Sequence, residues 1–255
     1  MRPRRRRLAW RLGMAALVMT LLPSGPARTD TLVADLSEHL IAISTAFVGT
    51  TVVLFGATEP DADLAVTVIG PRENQVVRRK GRVAGIWINR DQMTFANVPS
   101  FYAVASTRPV EQIARPDVIA QLELSVDQLR LEPIDTAGRE IGEILAFEDA
   151  LIRNKQRHGL YTEAPGPVRF LGPSLFRTNI AFPANVPPGL YQVQVYELRD
   201  GQVTDAQRST LVVSKVGFEA EIYDFAQQRA PLYGLVAILV ALTSGWLAGV
   251  IFRRG

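Results

Sequence analysis

The chain has 255 residues, 47% of them hydrophobic, with 28 basic and 25 acidic side chains, two histidines and no cysteine. It is long enough to bury a sizeable core, and the lack of cysteine excludes a disulfide framework, a thiol nucleophile and thiolate metal sites. The formal net charge of +3 points to an acidic partner only if the basic residues lie on the folded surface, so their positions along the chain matter.

Residues 1–27 have the three parts of a secretory signal. Arg2, Arg4 to Arg7 and Arg11 form the basic region. The apolar run from Leu12 to Leu22 is too short to cross ~30 Å of hydrocarbon as a helix. Gly25 and Ala27, either side of Pro26, set a cleavage site after Ala27. The alternative, an uncleaved signal anchor, exports the chain as well.

Residues 28–108 read as the first part of a β-sandwich domain. HLIAIST, TVVLFGA, LAVTVIG, QVVRRK, GIWIN, MTFANV and FYAVAST are short runs rich in β-branched and aromatic residues, separated by turn residues. In LAVTVIG, Leu64, Val66 and Val68 share one face, as a half-buried strand requires. Gly81 is expected to turn a hairpin between QVVRRK and GIWIN, with Trp87 anchoring the second strand. Arg78, Arg79, Lys80 and Arg82, joined by Arg90, then form a solvent-facing basic tip and the candidate contact set for a ligand or partner.

Residues 109–163 form a mixed, partly helical insert punctuated by Pro116 and Pro133. LELSVDQLRL fits either a strand or a helix. Residues 138–159 read as an amphipathic helix with Ile141, Ile144, Leu145, Leu151 and Ile152 on one face. Glu148 falls near the middle of that face with Lys155 in the same direction, so Glu148 is a candidate buried acid that needs a partner or a raised pKa.

Residues 164–216 return to strands at VRFLG, LFRTNIAF, GLYQVQVYELRDG and STLVVSKV. A Pro-Pro-Gly turn launches an alternating strand with Tyr191, Val193 and Val195 on one face, and Arg199-Asp200-Gly201 turns it into a hairpin. Whether these strands complete the first sheets or form a smaller module with residues 121–132 is open. Residues 217–231 read as a helical neck with Phe218, Ile222 and Phe225 on one stripe.

From Leu232 to Phe252 there is no charge, and at ~1.5 Å per residue the run is long enough to cross a bilayer once. Arg253 and Arg254 in the tail, 253–255, place the C-terminus in the cytoplasm by the positive-inside rule. Ala241, Gly245 and Gly249 make a small-residue row suited to packing against another membrane helix, in a partner or a second copy. The expected place is thus the inner membrane, single-pass, with the main domain in the periplasm.

Both ends change the meaning of the charge. Removing the six arginines of residues 1–27 leaves 22 basic residues against 25 acids, and removing Arg253 and Arg254 leaves 20, a net of −5 for the exported part. The basic character comes from topology signals, and nucleic acid is excluded as a partner. The fold class expected is mainly β: an immunoglobulin-like antiparallel β-sandwich, as one large or two small modules, with an inserted amphipathic helix and one C-terminal transmembrane helix.

Taken together, AFVGTTVVLFGA, GPRENQVVRRKGRVAGIWIN with PSFYAVASTRP, GLYTE, LFRTNIAFPANVPPGLYQVQVYELRDG and the GWLA of the span resemble the single-span transmembrane family of Alphaproteobacteria, Alph_Pro_TM. The resemblance covers essentially the whole mature chain. It implies no catalytic or binding residues, because none are established for the family. It does imply a role beside sulfite-exporter-like permeases.

The residues themselves offer no catalytic set. Ser37, Glu38 and His39 alternate faces in an extended run and cannot form a triad, and His158 suits a helix-end cap. Two scattered histidines make no zinc site. The acids of Glu59-Pro60-Asp61-Ala62-Asp63 lack the ligand count of a calcium loop. No phosphate loop or dinucleotide fingerprint is present, and no metal or cofactor is expected. The leading reading is a membrane-anchored periplasmic interaction or accessory protein with a membrane-protein partner such as a transporter. The alternatives are a periplasmic small-anion binding protein and, after it, an envelope hydrolase.

Overall fold

The computed structural model describes residues 32–83, 85–134, 136–216, 226 and 229–252. The expected signal segment 1–27, residues 217–225 and 227–228 of the neck, and the tail 253–255 lie outside the described residues. The chain is mainly β. Its strands are β1 (Val33–Leu36), β2 (Leu40–Ile43), β3 (Gly49–Ala57), β4 (Asp63–Ile69), β5 (Arg72–Val83), β6 (Ile86–Pro99) and β7 (Tyr102–Ser106), then β8 (Glu132–Pro133), β9 (Gly166–Pro167), β10 (Arg169–Phe170), β11 (Leu175–Pro183), β12 (Gly189–Arg199) and β13 (Gln202–Lys215). The helices whose full bounds fall among the described residues are α1 (Val110–Ile113), α2 (Pro116–Gln121), α3 (Ile141–Arg157) and α4 (Ala230–Phe252).

Two sheets face each other across one core. One runs β1-β3-β11-β10 and the other β2-β13-β12-β4-β7-β9; all pairs are antiparallel except β2 with β13 and β7 with β9. Alternation builds the interior. Val52 and Leu54 of β3 and Phe176, Ile180 and Phe182 of β11 meet Val66 and Val68 of β4 and Tyr191, Val193 and Val195 of β12. The late strands β11 to β13 pair with β3, β4 and β2, so they complete the same two sheets as the early ones.

β4 is buried on both faces and not on one. Leu64, Val66 and Val68 enter the shared core, while Ala65 faces a second cluster formed by Val110, Ile113, Ile119, Leu124 and Leu129 from the segment after β7. A small residue at position 65 lets that segment pack close to a central strand. The ambiguous LELSVDQLRL is neither strand nor long helix. It is a short connector with one 3₁₀ turn at Val126–Gln128, and it buries Leu124 and Leu129.

The DG hairpin forms as its sequence demands. Arg199 pairs with Gln202, and Asp200 and Gly201 both take positive φ (51° and 78°), the type I′ geometry that suits strand twist. Hairpin β5–β6 departs from expectation. Its register runs through Gly81↔Ile88 to Val83↔Ile86, so the turn lies at Gly85 (φ 86°) and not at Gly81. Arg78 to Arg82 are therefore strand residues.

The third sheet, β5-β6-β8, packs on α3 through Met93, Phe95 and Val98 against Phe147 and Leu151. The buried stripe of α3 is Phe147, Leu151 and Lys155, flanked by Ile144, whereas Ile141 and Leu145 are 77% and 53% exposed. The expected face is rotated because the helix meets a ribbon only two strands wide along most of its length. Phe147, the largest apolar side chain available, takes that narrow contact. Glu148 is left at its edge, half-buried.

α4 is apolar and exposed, and its 23 residues at ~1.5 Å each exceed the ~30 Å hydrocarbon thickness. Ala241, Gly245 and Gly249 lie exposed on it at four-residue spacing, which places them in one row.

Candidate functional site

The predicted basic cluster lies on the outer half of hairpin β5–β6, which stands clear of the sandwich. The hairpin's root is held by α3. Arg79 and Arg139 place their guanidinium carbons 4.5 and 5.6 Å from the centroid of Phe147, within cation–π range. Arg139 donates to both carboxylate oxygens of Asp91 (2.9 and 3.1 Å) and to the Gln92 carbonyl (2.8 Å). Glu143 lies 3.3 Å from Arg139 and 3.8 Å from Arg79. The Arg139 hydrogen bond holds the Asp91 carboxyl down to about 2, against the opposing effect of burial. Asp91 is thus ionised at any ordinary pH and the root stays clamped.

Just beyond the root the register shifts. Arg79 pairs with Asp91 and Lys80 with Asn89, which leaves Arg90 as the extra residue of a β-bulge. Its side chain lies across Gly81, where an added Cβ would stand 2.2 Å from the Arg90 Cδ. Glycine at 81 therefore makes room for an arginine rather than a turn.

Paired residues share a face. One face carries Arg78, Lys80 and Arg82 with Trp87 opposite Arg82; the other carries Arg79 with Ile88 opposite Gly81, and Arg90 over it. At the end, Ile86, Trp87 and Ile88 are 67%, 66% and 45% exposed. Contrary to the expectation from sequence, Trp87 does not anchor the second strand. It stands in solvent because the ribbon there has no third layer. Arg82 donates from Nε to the Gly85 carbonyl at 3.3 Å, and Arg78 and Lys80 have no ion-pair partner among the described residues. The five cations splay over both faces and do not converge on one concave site.

The other predicted residues stand apart from the hairpin tip. Loss of water, aided by neighbouring Asp149, raises the Glu148 pKa. Lys155 is the charged residue that α3 buries. Its Nζ lies 3.5 Å from the Ser100 carbonyl and 6.0 Å from the Tyr161 ring, and desolvation lowers its pKa against the pull of Glu73. His158 caps the end of α3, its Nδ1 2.7 Å from the Asn154 carbonyl. His39 Nε2 pairs with Asp35 at 3.0 Å. Two acids of the loop are paired, Glu59 with Arg199 and Asp63 with Arg108.

Two buried carboxylates escaped the sequence reading. Glu197 is 1% exposed and accepts from the Thr58 and Thr204 hydroxyls (2.5 and 3.1 Å), with Arg199 Nε at 3.4 Å. Glu123 accepts from Arg72 (2.8 Å) and from the Arg130 amide (3.0 Å), while its carbonyl takes the Tyr102 hydroxyl at 2.5 Å. Glu197 had a legible signal, since it continues the inward parity of Tyr191, Val193 and Val195. Glu123 had none, because the side chains that meet it, Arg72 and Tyr102, come from distant segments.

Arg72 and Glu123 also border a shallow groove of about 720 Å³ on the outer face of β12 and β13, with Leu190, Gln192, Gln194 and Arg208 among its lining. The Tyr196 hydroxyl donates to Gln194 at its floor.

Stacked β-sheets joined to an exposed apolar helix define a β-rich protein with, among the described residues, a single candidate membrane span. The chain belongs to the Alph_Pro_TM family, described as "Putative transmembrane protein", whose model matches residues 31–254. No curated protein gave a match.

Proposed function

We propose that this is a non-catalytic recognition module: an immunoglobulin-like sandwich, exported to the periplasm and held at the inner membrane by α4, that contacts a membrane protein such as a transporter. The observation that carries the reading is the strand order. β1-β3-β11-β10 follows the A-B-E-D order of immunoglobulin sheets, and β13-β12-β4-β7 follows G-F-C-C′. The Tyr191 hydroxyl donates to the Pro187 carbonyl at 2.6 Å near the start of the F-like strand, the bond of a tyrosine corner. Modules of this architecture serve recognition through their loops and outer sheet faces, although fold alone assigns no partner.

Export is supported by the charge pattern, with arginines at both ends and a net acidic body. The domain plan is one sandwich built from 28–108 and 164–216, interrupted by the helical insert 109–163 and followed by the neck 217–231 and the span 232–252. Within it, the groove over β12 and β13 is the contact surface for the partner, and the small-residue row of α4 is a second contact within the bilayer. A photo-crosslinker at Gln194 should give a discrete membrane-protein adduct that the same probe at Arg177, on the opposite sheet, does not. Identical patterns from both positions, or a monomer alone, would count against the module reading.

A second reading, a binding protein for small anions such as sulfite or sulfate, is favoured by one feature. Arg208 lines the groove without an ion-pair partner among the described residues, near the Arg72–Glu123 pair. Thermal stabilisation by sulfite or sulfate that is lost in Arg208→Ala would select it over the first.

A further inference from the structure

The geometry points to hairpin β5–β6 as a membrane-docking arm whose tip enters the anionic interface of the bilayer that holds α4. From Val76 to Arg90 the sequence has five cations and no acid, while the rest of the exported part has 15 basic residues against 25 acids. Positive charge is therefore concentrated on one projecting element of an otherwise negative domain. That is the charge complementarity an anionic phospholipid surface requires.

The arrangement along the ribbon fits the same partner. Ile86, Trp87 and Ile88 occupy the extreme end and stand exposed, and Arg78, Arg79, Lys80, Arg82 and Arg90 follow within a few residues. An aliphatic tip with an indole beside it suits the boundary between acyl chains and headgroups, with cations one step back at the phosphates. Charges on an edge strand also discourage strand pairing. That role alone leaves three large apolar side chains in water at the tip, a cost which immersion removes.

Both faces of the ribbon carry cations and apolar groups. A rigid protein surface can cover one face, whereas a fluid interface surrounds the tip and satisfies both. Reach is not limiting. The chain between Val216 and Ala230 can extend to roughly 50 Å at ~3.5 Å per residue, so the domain cannot leave the vicinity of the bilayer. The β5 strand of 12 residues itself spans about 40 Å. Tethering makes docking intramolecular, and weak contacts then suffice. The inference rests on the tether of the reading above and not on its protein partner.

The test uses the full chain carrying Trp10→Phe and Trp246→Phe, which leaves Trp87 as the only tryptophan, reconstituted in phosphatidylcholine vesicles with or without a quarter phosphatidylglycerol. With phosphatidylglycerol, Trp87 emission should move to shorter wavelength and be quenched by lipids brominated near the headgroup, and 1 M NaCl should reverse both. Neutralising Arg78, Lys80 and Arg82 to Gln should lower the ratio of docked to undocked arm by about five-fold per charge. The wild-type salt titration keeps the test valid if a variant misfolds. Trp87 emission unchanged by phosphatidylglycerol, whether water-exposed or equally buried in both vesicles, overturns the proposal. A tip that stays in water on phosphatidylglycerol yet crosslinks to a protein would also overturn it, and would leave the partner reading standing.

Discussion

Phe147 is the side chain that makes the hairpin a rigid arm, and Phe147→Ala should loosen the arm without melting the sandwich. Phe147 is 1% exposed and contributes to a small cluster with Met93, Phe95, Val98 and Leu151, distinct from the core between the two main sheets. Truncating a buried phenylalanine costs about 3–5 kcal/mol. The lost stacking of half-exposed Arg79 adds roughly 0.5–1 kcal/mol. A satellite cluster of five buried residues cannot absorb that loss, so the unit should open locally. At a tenfold change per ~1.4 kcal/mol, amides of β5 and β6 should exchange hydrogen at least roughly 100-fold faster. Those of β4 and β12 should keep their protection. Hydrogen exchange with mass spectrometry on the detergent-solubilised chain reads both. The reasoning is refuted if hairpin protection is unchanged, or if β4 and β12 lose protection in parallel with the hairpin. Phe147→Leu keeps most of the volume and should give a much smaller change.

Three further outcomes follow from the buried and paired groups. Asp91 has a folded pKa lowered to about 2 from 3.8, so its contribution is complete above the unfolded value and disappears as pH falls from about 4 towards 2. Hairpin amides should lose protection in that window, and Arg139→Gln should remove the pH dependence. Burial raises the hydroxyls of Tyr102, Tyr161 and Tyr191, the last to about 12. The unfolded chain then releases these protons first, stability falls as pH rises beyond about 10, and Tyr161→Phe should flatten that decline in alkaline denaturation curves. Glu197→Ala removes the acceptor of the buried Thr58 hydroxyl and should cost about 1–3 kcal/mol in urea unfolding, more than Glu197→Gln, which keeps an acceptor.

The longer strands, the DG hairpin, the helix-end role of His158 and the C-terminal span were legible because each rests on local pattern, whereas β1, β8 and β9 are too short to show one. Alternation marks Tyr191, Val193 and Val195, a two-residue turn needs Asp200 and Gly201, and a long run without charge marks α4. What was not legible depends on distant partners. The turn was expected at Gly81 because four cations in five residues resemble a loop tip. In the folded chain they lie in a strand that only Arg79 joins to α3, over Phe147, while the ribbon beyond it has no third layer, and Gly81 is small because the bulged Arg90 crosses it. The buried face of α3 is not the one its aliphatic residues mark, because a narrow ribbon selects Phe147, the bulkiest residue, over the more numerous aliphatic ones. The pairings β3–β11 and β4–β12 join segments more than a hundred residues apart, and no local period announces them. The candidate cations were found from composition. Their distribution over two faces, which separates an arm from a pocket, needed the register.

The membrane topology is the premise of every functional reading, and the absence of cysteine makes it directly measurable. A single cysteine placed at exposed Arg177 on β11, and in a second variant at Gly255, can be labelled in intact spheroplasts with a membrane-impermeant maleimide. The account predicts that Arg177→Cys is labelled in intact spheroplasts, and Gly255→Cys only after permeabilisation. Labelling of Gly255→Cys with protection of Arg177→Cys would contradict it.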